Sequence, residues 1–244
     1  HHNYPLERIE AAIAWLKENG NSKIGIAGAS TTGTLALTAA SMFSDITLTI
    51  AMTPSDFVWQ GFMQGNRDGC KEWPIDGESL FSYRGTPLPY MPFCYKHPDY
   101  WHCIANETKR TGDMINSRKL FDDSEKAHPI RPEEYIPVEN IHGKLLLIGA
   151  EDDVLWDTVK YIRRIEKRLS EHAHDCEAEA VVYRHGTHFV FPESMIKTMF
   201  PIGSGLFVRL AFKAAKQFPE ECRQTRLDID KRMTAAIIAW KNNE

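Results

Sequence analysis

Apolar positions fall into alternating helix-spaced and strand-like runs over the first fifty residues. Leu6, Ile9, Ile13 and Leu16 recur every three to four positions, with Pro5 in a first turn and Asn19-Gly20 as a stop signal, so residues 5–19 are predicted to be a helix. Residues 23–28 form a short apolar run and are predicted to be a buried strand. The run ends in a turn of small residues, Gly28-Ala29-Ser30-Thr31-Thr32-Gly33, after which Leu35, Ala36, Ala39 and Ala40 carry a helix to about Phe43. Ile46 to Met52 is rich in β-branched residues and is closed by Thr53-Pro54, the pattern of a second strand. Two strands joined by a helix of this length predict a parallel βαβ unit.

The same alternation returns after residue 140. Lys144 to Gly149 (KLLLIG) reads as a third buried strand, with Ala150-Glu151-Asp152-Asp153 at its carboxyl end. Val159, Ile162, Ile165 and Leu169 share one face of a predicted helix from about Trp156 to His172. Glu179 to Arg184 is predicted to be a fourth strand, running into His185-Gly186-Thr187-His188, and the rest is helical in two pieces, about 205–217 and 223–241, divided by Pro219. Between the second and third strands, residues 54–137 lose periodicity and gain proline and glycine, yet hold half of the chain's aromatic residues. So long an irregular stretch in a compact domain points to a functional insertion. It is read as a cap with helices around Trp101 to Arg110 and Asp113 to Phe121; the alternative is that its aromatics only pack a loop-rich subdomain. The fold class is therefore α/β, a mostly parallel sheet flanked by helices, in one domain over residues 3–244 with a cap inserted at 54–137.

Composition narrows the function classes. With 244 residues, 43% hydrophobic and 25% charged, the chain is long and apolar enough to bury a sizeable core. A net charge of -4 argues against a nucleic-acid partner. No apolar run approaches the roughly 18 residues of a membrane span, so no membrane partner is expected. Neither phosphate-binding glycine motif occurs, which leaves nucleotide hydrolysis and dinucleotide chemistry unsupported. Five irregularly spaced cysteines suggest reduced thiols and a cytoplasmic location. Cys94, His97, His102 and Cys103 cluster, but without the paired spacing of a metal site, so no metal and no cofactor are expected. The chain opens His1-His2-Asn3 without methionine; the pair reads as a tag remnant on a processed or engineered fragment, outside the fold.

Three strand ends carry chemistry: Ser30, then Asp152-Asp153, then His188. Functional groups gather at the carboxyl ends of strands in open parallel sheets, so these residues can converge from distant positions. A serine hydroxyl needs an imidazole to take its proton before it can attack a carbonyl. The imidazole needs a carboxylate to fix its tautomer and stabilise its cation. Their order along the chain is that of α/β-hydrolases, and a strand, a sharp turn bearing serine and a helix form the setting of a nucleophile elbow. The usual G-x-S-x-G is altered here, because Thr32 holds the second glycine position and Gly33 follows it.

The run GASTTGTLALTAASM resembles the nucleophile segment of the acyl-CoA thioesterase and bile acid-CoA:amino acid N-acyltransferase family, in its carboxyl-terminal α/β-hydrolase domain, with the dienelactone hydrolases as the broader neighbourhood. The likeness extends through PLERIEAAIAWL, YRGTPLPYMP, IPVENIHGKLLLIGAEDDVLW and YRHGTHFVFP, most of residues 5–192. It implies a triad of Ser30, Asp153 and His188: the family's carboxylate lies three residues before a tryptophan, here Trp156, and the histidine follows Gly-Thr. It implies an oxyanion site at the backbone N–H of Thr31, and hydrolysis rather than N-acyl transfer, since the conjugating members use cysteine in place of this serine. The expected substrate is a small acyl thioester or ester, with Trp59, Phe62 and Tyr90 lining an acyl groove. Two departures accompany the resemblance. Thr32 stands for a glycine, and the family's strands upstream of the first helix, one of whose loops supplies a second oxyanion donor, have no counterpart in the chain. One such donor is worth roughly 10²–10³ in rate. The alternatives are an esterase or peptidase of the dienelactone hydrolase type, and a catalytically impaired domain that binds rather than turns over.

Overall fold

A computed structural model describes residues 1–242. In chain order its elements are β1 (Tyr4–Pro5), α1 (Glu7–Glu18), β2 (Ile24–Ala29), α2 (Thr31–Met42), β3 (Ile46–Met52), β4 (Gln60–Arg67), β5 (Cys70–Ser79), β6 (Phe81–Tyr83), β7 (Thr86–Pro87), α3 (Asp99–Thr111), α4 (Arg118–Ala127), β8 (Lys144–Ala150), α5 (Thr158–Glu171), β9 (Glu177–Tyr183), α6 (Glu193–Met199), α7 (Ser204–Ala211), α8 (Lys213–Gln217) and α9 (Pro219–Asn242).

The frame is a four-stranded parallel sheet in the order β2-β3-β8-β9. Its inner strands are covered on both faces, which is why they read as continuous apolar runs rather than alternating ones. Their side chains still alternate by face. Leu48, Ile50, Met52, Leu146 and Ile148 pack under the carboxyl-terminal helices, whereas Ala51, Leu145 and Leu147 pack with α2 and α5. Helix α2 is buried along Ala36, Leu37, Ala39 and Ala40, and the three alanines let it lie close on the sheet. Helix α5 turns Tyr161, Ile162, Ile165 and Leu169 inward and starts on Asp157, whose carboxylate accepts the Lys160 N–H at 3.0 Å.

The insertion differs from its sequence reading. Its main feature is an antiparallel hairpin, β4-β5, absent from the predicted elements. Arg67 pairs with Cys70 across Asp68-Gly69, both at positive φ (49° and 80°), the primed two-residue turn that Asp-Gly favours. The second predicted helix also moves. Residues 113–117 are a loop, and the helix runs from Arg118 to Ala127. Asp113 turns away to accept the Lys213 N–H at 2.8 Å, and the Asn116 Oδ1 accepts the Arg118 N–H at 3.3 Å. Near the carboxyl end, Pro219 divides the helices as expected and opens α9, where its missing N–H costs nothing, but the piece before it is split at Phe212 into α7 and α8. Helix α6 was not anticipated.

His1 and His2 are part of the packing, contrary to their exclusion from the fold. The His1 ring stacks on Phe62 at 4.9 Å, its carbonyl accepts the Phe62 N–H at 3.0 Å, and His2 pairs with Glu78. Among the described residues, no helix is long and apolar enough to cross a membrane.

A buried charge cluster ties the insertion to α5. The Arg164 guanidinium donates to both oxygens of Asp56 (2.6 and 2.7 Å) and to Glu125 at 2.9 Å. Burial pushes the Asp56 carboxyl up to about 6 even though Arg164 pulls it down. Breaking such a pair leaves an uncompensated buried charge, so Arg164→Met is expected to cost about 3–5 kcal/mol at neutral pH in chemical denaturation. The sign of its pH dependence is fixed. Without Arg164 the buried carboxyl takes up its proton at a higher pH in the folded variant than in the folded parent, so the deficit narrows as pH falls toward about 6 and stays level below it. A deficit that widens on acidification contradicts this.

Candidate active site

The sharp turn between β2 and α2 holds Ser30 at φ 59° and ψ -129°, a backbone region that non-glycine residues rarely adopt. Such a conformation costs on the order of 1–3 kcal/mol and persists only where the surroundings over-determine it. Here the Ser30 N–H donates to Met52 O (2.8 Å) and to Thr53 Oγ1 (3.2 Å), while the Ser30 carbonyl accepts from Gly33 (2.9 Å) and Thr34 (3.1 Å). The serine side chain caps nothing at the start of α2, which leaves its hydroxyl for other work.

The spacing of the glycines has a steric cause. A Cβ at residue 28 would lie 1.9 Å from the Thr32 carbonyl oxygen, and one at residue 33 would lie 2.6 Å from that of Met52. Glycine is therefore required at 28 and 33, where backbone meets backbone. At position 32 threonine has its own role: its Oγ1 accepts the Ala29 N–H at 2.9 Å and donates to the Ala29 carbonyl at 2.7 Å, closing the turn. Thr32→Gly would restore the familiar motif. It is nonetheless expected to lower stability by about 1–2 kcal/mol, through two lost hydrogen bonds and added chain entropy, as read by urea denaturation. An unchanged or raised stability would contradict this role.

From β9 the chain enters the loop that carries His188, which is 1% exposed. The His188 Nε2 lies 2.8 Å from Ser30 Oγ. Its Nδ1 lies 3.0 and 2.9 Å from the two oxygens of Asp153, itself 3% exposed at the end of β8. An ionised carboxylate only accepts, so Nδ1 carries the proton and Nε2 accepts the serine O–H. Asp153 is further held by the Leu155 N–H at 2.9 Å and by the Thr158 hydroxyl. The Trp156 ring stands edge-on to His188 at 4.7 Å, its Nε1–H donating to the Thr53 carbonyl at 3.1 Å. Thr31 opens α2, so its N–H is among those without an intrahelical acceptor. The helix N-terminus adds a partial positive charge there.

Ser30, Asp153, His188 and Thr31 thus lie together. The three aromatic candidates do not join them. Trp59 is 1% exposed, packed against Phe57, Phe121 and Trp156, one ring removed from His188. Phe62 packs with His1 and Tyr100, and Tyr90 packs against the apolar core that the insertion shares with α2, α5 and the sheet. The expected acyl groove is corrected accordingly. The insertion's aromatic rings share one core with α2, α5 and the sheet, so they meet one another and the rings of Trp156 and Tyr161, and Trp59 lies behind Trp156 instead of facing an opening.

Sequence reasoning missed Thr53 and Thr158. Thr53 is fully buried at φ 44°; its N–H donates to Ile148 O at 2.7 Å, which joins the elbow, β8 and Trp156 through one residue. Only the Thr-Pro pair at the strand end marked it. Nothing in the sequence marked Thr158.

A search of curated proteins returns no significant match. The family profile described as BAAT / acyl-CoA thioester hydrolase C terminal matches residues 4–200, from β1 through α6. The matched span includes both edges of the parallel sheet and every residue of the Ser30, Asp153 and His188 cluster. The chain belongs to the BAAT / acyl-CoA thioester hydrolase C-terminal family.

Proposed function

We propose that the protein is a serine hydrolase of the α/β-hydrolase fold that cleaves acyl thioesters through an acyl-enzyme on Ser30. The observation that carries this reading is the hydrogen-bonded series from Ser30 Oγ to His188 Nε2 (2.8 Å) and from His188 Nδ1 to Asp153 (2.9 Å). Its serine sits on a strained strand-to-helix turn. Membership of the family supports the substrate class.

As Ser30 Oγ attacks the acyl carbonyl carbon, its proton passes to His188 Nε2. The carbonyl oxygen gains the negative charge and meets the Thr31 N–H. Asp153 stays ionised and stabilises the imidazolium through Nδ1–H. Collapse breaks the carbon–sulfur bond, and the departing thiolate takes the proton from His188. A water then gives a proton to Nε2 while its oxygen attacks the acyl-enzyme. A second collapse returns that proton to Ser30 Oγ and releases a carboxylic acid.

A panel of acyl-CoA thioesters, p-nitrophenyl esters and peptide amides tests the substrate class. Thioesters are expected to show the highest kcat/KM. Preferred turnover of esters or amides overturns the thioester assignment and moves the protein toward the dienelactone hydrolase type. Silence toward all three supports the impaired binding domain.

A further inference from the structure

We propose that Asp152 is the positioning residue for the catalytic histidine: its carboxylate fixes the backbone of the loop that presents His188 to Ser30. The inference rests on the serine-hydrolase reading above and adds to it a residue that touches neither Ser30 nor the reacting atoms.

The β8-β9 ladder runs out just before the site. Its last tie is the Glu151 N–H donating to the Tyr183 carbonyl at 2.9 Å, after which the two strands give way to loops. From that point Asp152 takes over the connection. Its Oδ1 accepts the Gly186 N–H at 3.0 Å and the Thr187 N–H at 2.7 Å, and its Oδ2 faces His185 Nδ1 at 3.3 Å. Two amides on one carboxylate oxygen are charge-assisted bonds, stronger than ordinary backbone pairs.

The loop needs such a hold. Thr187, immediately before His188, is a β-branched residue at φ 62°, where the backbone is strained. At Gly186 a Cβ would come within 2.3 Å of Val190 Cγ1, so the loop doubles tightly on itself. The His185 carbonyl accepts the Thr225 hydroxyl at 2.6 Å, which anchors the near end of the loop to α9. Asp152 anchors the turn that follows, one residue from the catalytic ring. The adjacent aspartates therefore divide the task. Asp153 orients the imidazole, and Asp152 sets where the imidazole's backbone stands. A displacement of about 1 Å at a reacting group can cost on the order of 10²-fold in rate, so loss of the hold is felt in kcat.

The test compares Asp152→Ala with Asp152→Asn at a temperature where both are folded by circular dichroism. Alanine removes the acceptor; asparagine keeps an oxygen for the two amides. Asp152→Ala is expected to lower kcat by about 10- to 100-fold with KM within twofold, and Asp152→Asn to recover most of that loss. A kcat for Asp152→Ala within twofold of the parent, or a loss carried mainly by KM, overturns the proposal. So does an Asp152→Asn variant no better than alanine. A second readout does not require turnover. In ¹⁵N-histidine-labelled protein, the His188 Nδ1–H resonance, assigned by its absence in His188→Gln, is expected to be sharp in the parent and in Asp152→Asn and broadened away in Asp152→Ala. An unchanged resonance in Asp152→Ala overturns the positioning role even if the parent hydrolyses nothing. If the parent is inert while the resonance behaves as expected, the catalytic reading fails and the positioning role stands.

Discussion

Ser30→Ala is expected to lower kcat toward thioesters by on the order of 10⁴–10⁶-fold, since removal of the nucleophile from such a unit disables the other members with it. KM for the same substrate should change little, because the hydroxyl is used in bond formation and not in ground-state binding. The strained backbone supplies an internal control. Alanine at position 30 must still adopt φ 59°, so its stability should stay close to that of the parent. Ser30→Gly relieves the conformation and should be equally inactive yet more stable, by about 1–2 kcal/mol in urea denaturation. Activity of Ser30→Ala within tenfold of the parent would remove Ser30 from the mechanism. A Ser30→Gly variant less stable than Ser30→Ala would contradict the strain.

Asp153→Asn is expected to lower kcat by about 10⁴-fold with the fold retained. The reason lies in the donors around the carboxylate. The Leu155 N–H is a fixed donor at 2.9 Å from Oδ1 and holds a carbonyl oxygen on that side. The asparagine amide therefore falls on the other side, beside the Thr158 hydroxyl, which can rotate to accept from it, and beside His188 Nδ1. An NH₂ group facing Nδ1 favours the tautomer protonated on Nε2, which cannot accept the Ser30 proton. The nearly isosteric change should leave stability within about 1 kcal/mol. A loss of less than tenfold in steady-state kcat would mean that the carboxylate does not set the tautomer.

Much of the frame was legible because burial leaves a periodic trace. β3 coincides with its predicted run, β8 differs from its run by one residue at one end, and β2 and β9 differ by one or two residues at both ends. The site was legible for the same reason: Ser30, Asp153 and His188 follow predicted strand ends, so topology alone brings them near one another. The hairpin β4-β5 left no such trace. Its exposed positions, apart from Met63, are polar or glycine, and only Asp68-Gly69 announced the turn. The aromatic candidates failed for a different reason: residue type identified Trp59 and Phe62 as apolar, but not which neighbour would cover them. The supports at Thr53 and Asp152 are hydrogen bonds between segments far apart in the chain, and that of Thr158 reaches back five residues to Asp153 across an irregular turn, so no periodic pattern encodes them.

The central claim is that His188 activates Ser30 as a covalent nucleophile. Labelling of the folded protein with a fluorophosphonate, followed by mass spectrometry of the peptide containing residues 24–43, tests it most directly. One adduct on Ser30, abolished in Ser30→Ala and slowed at least 10²-fold in His188→Gln, is the predicted result. An unlabelled folded protein, or labelling that persists in Ser30→Ala, would contradict it.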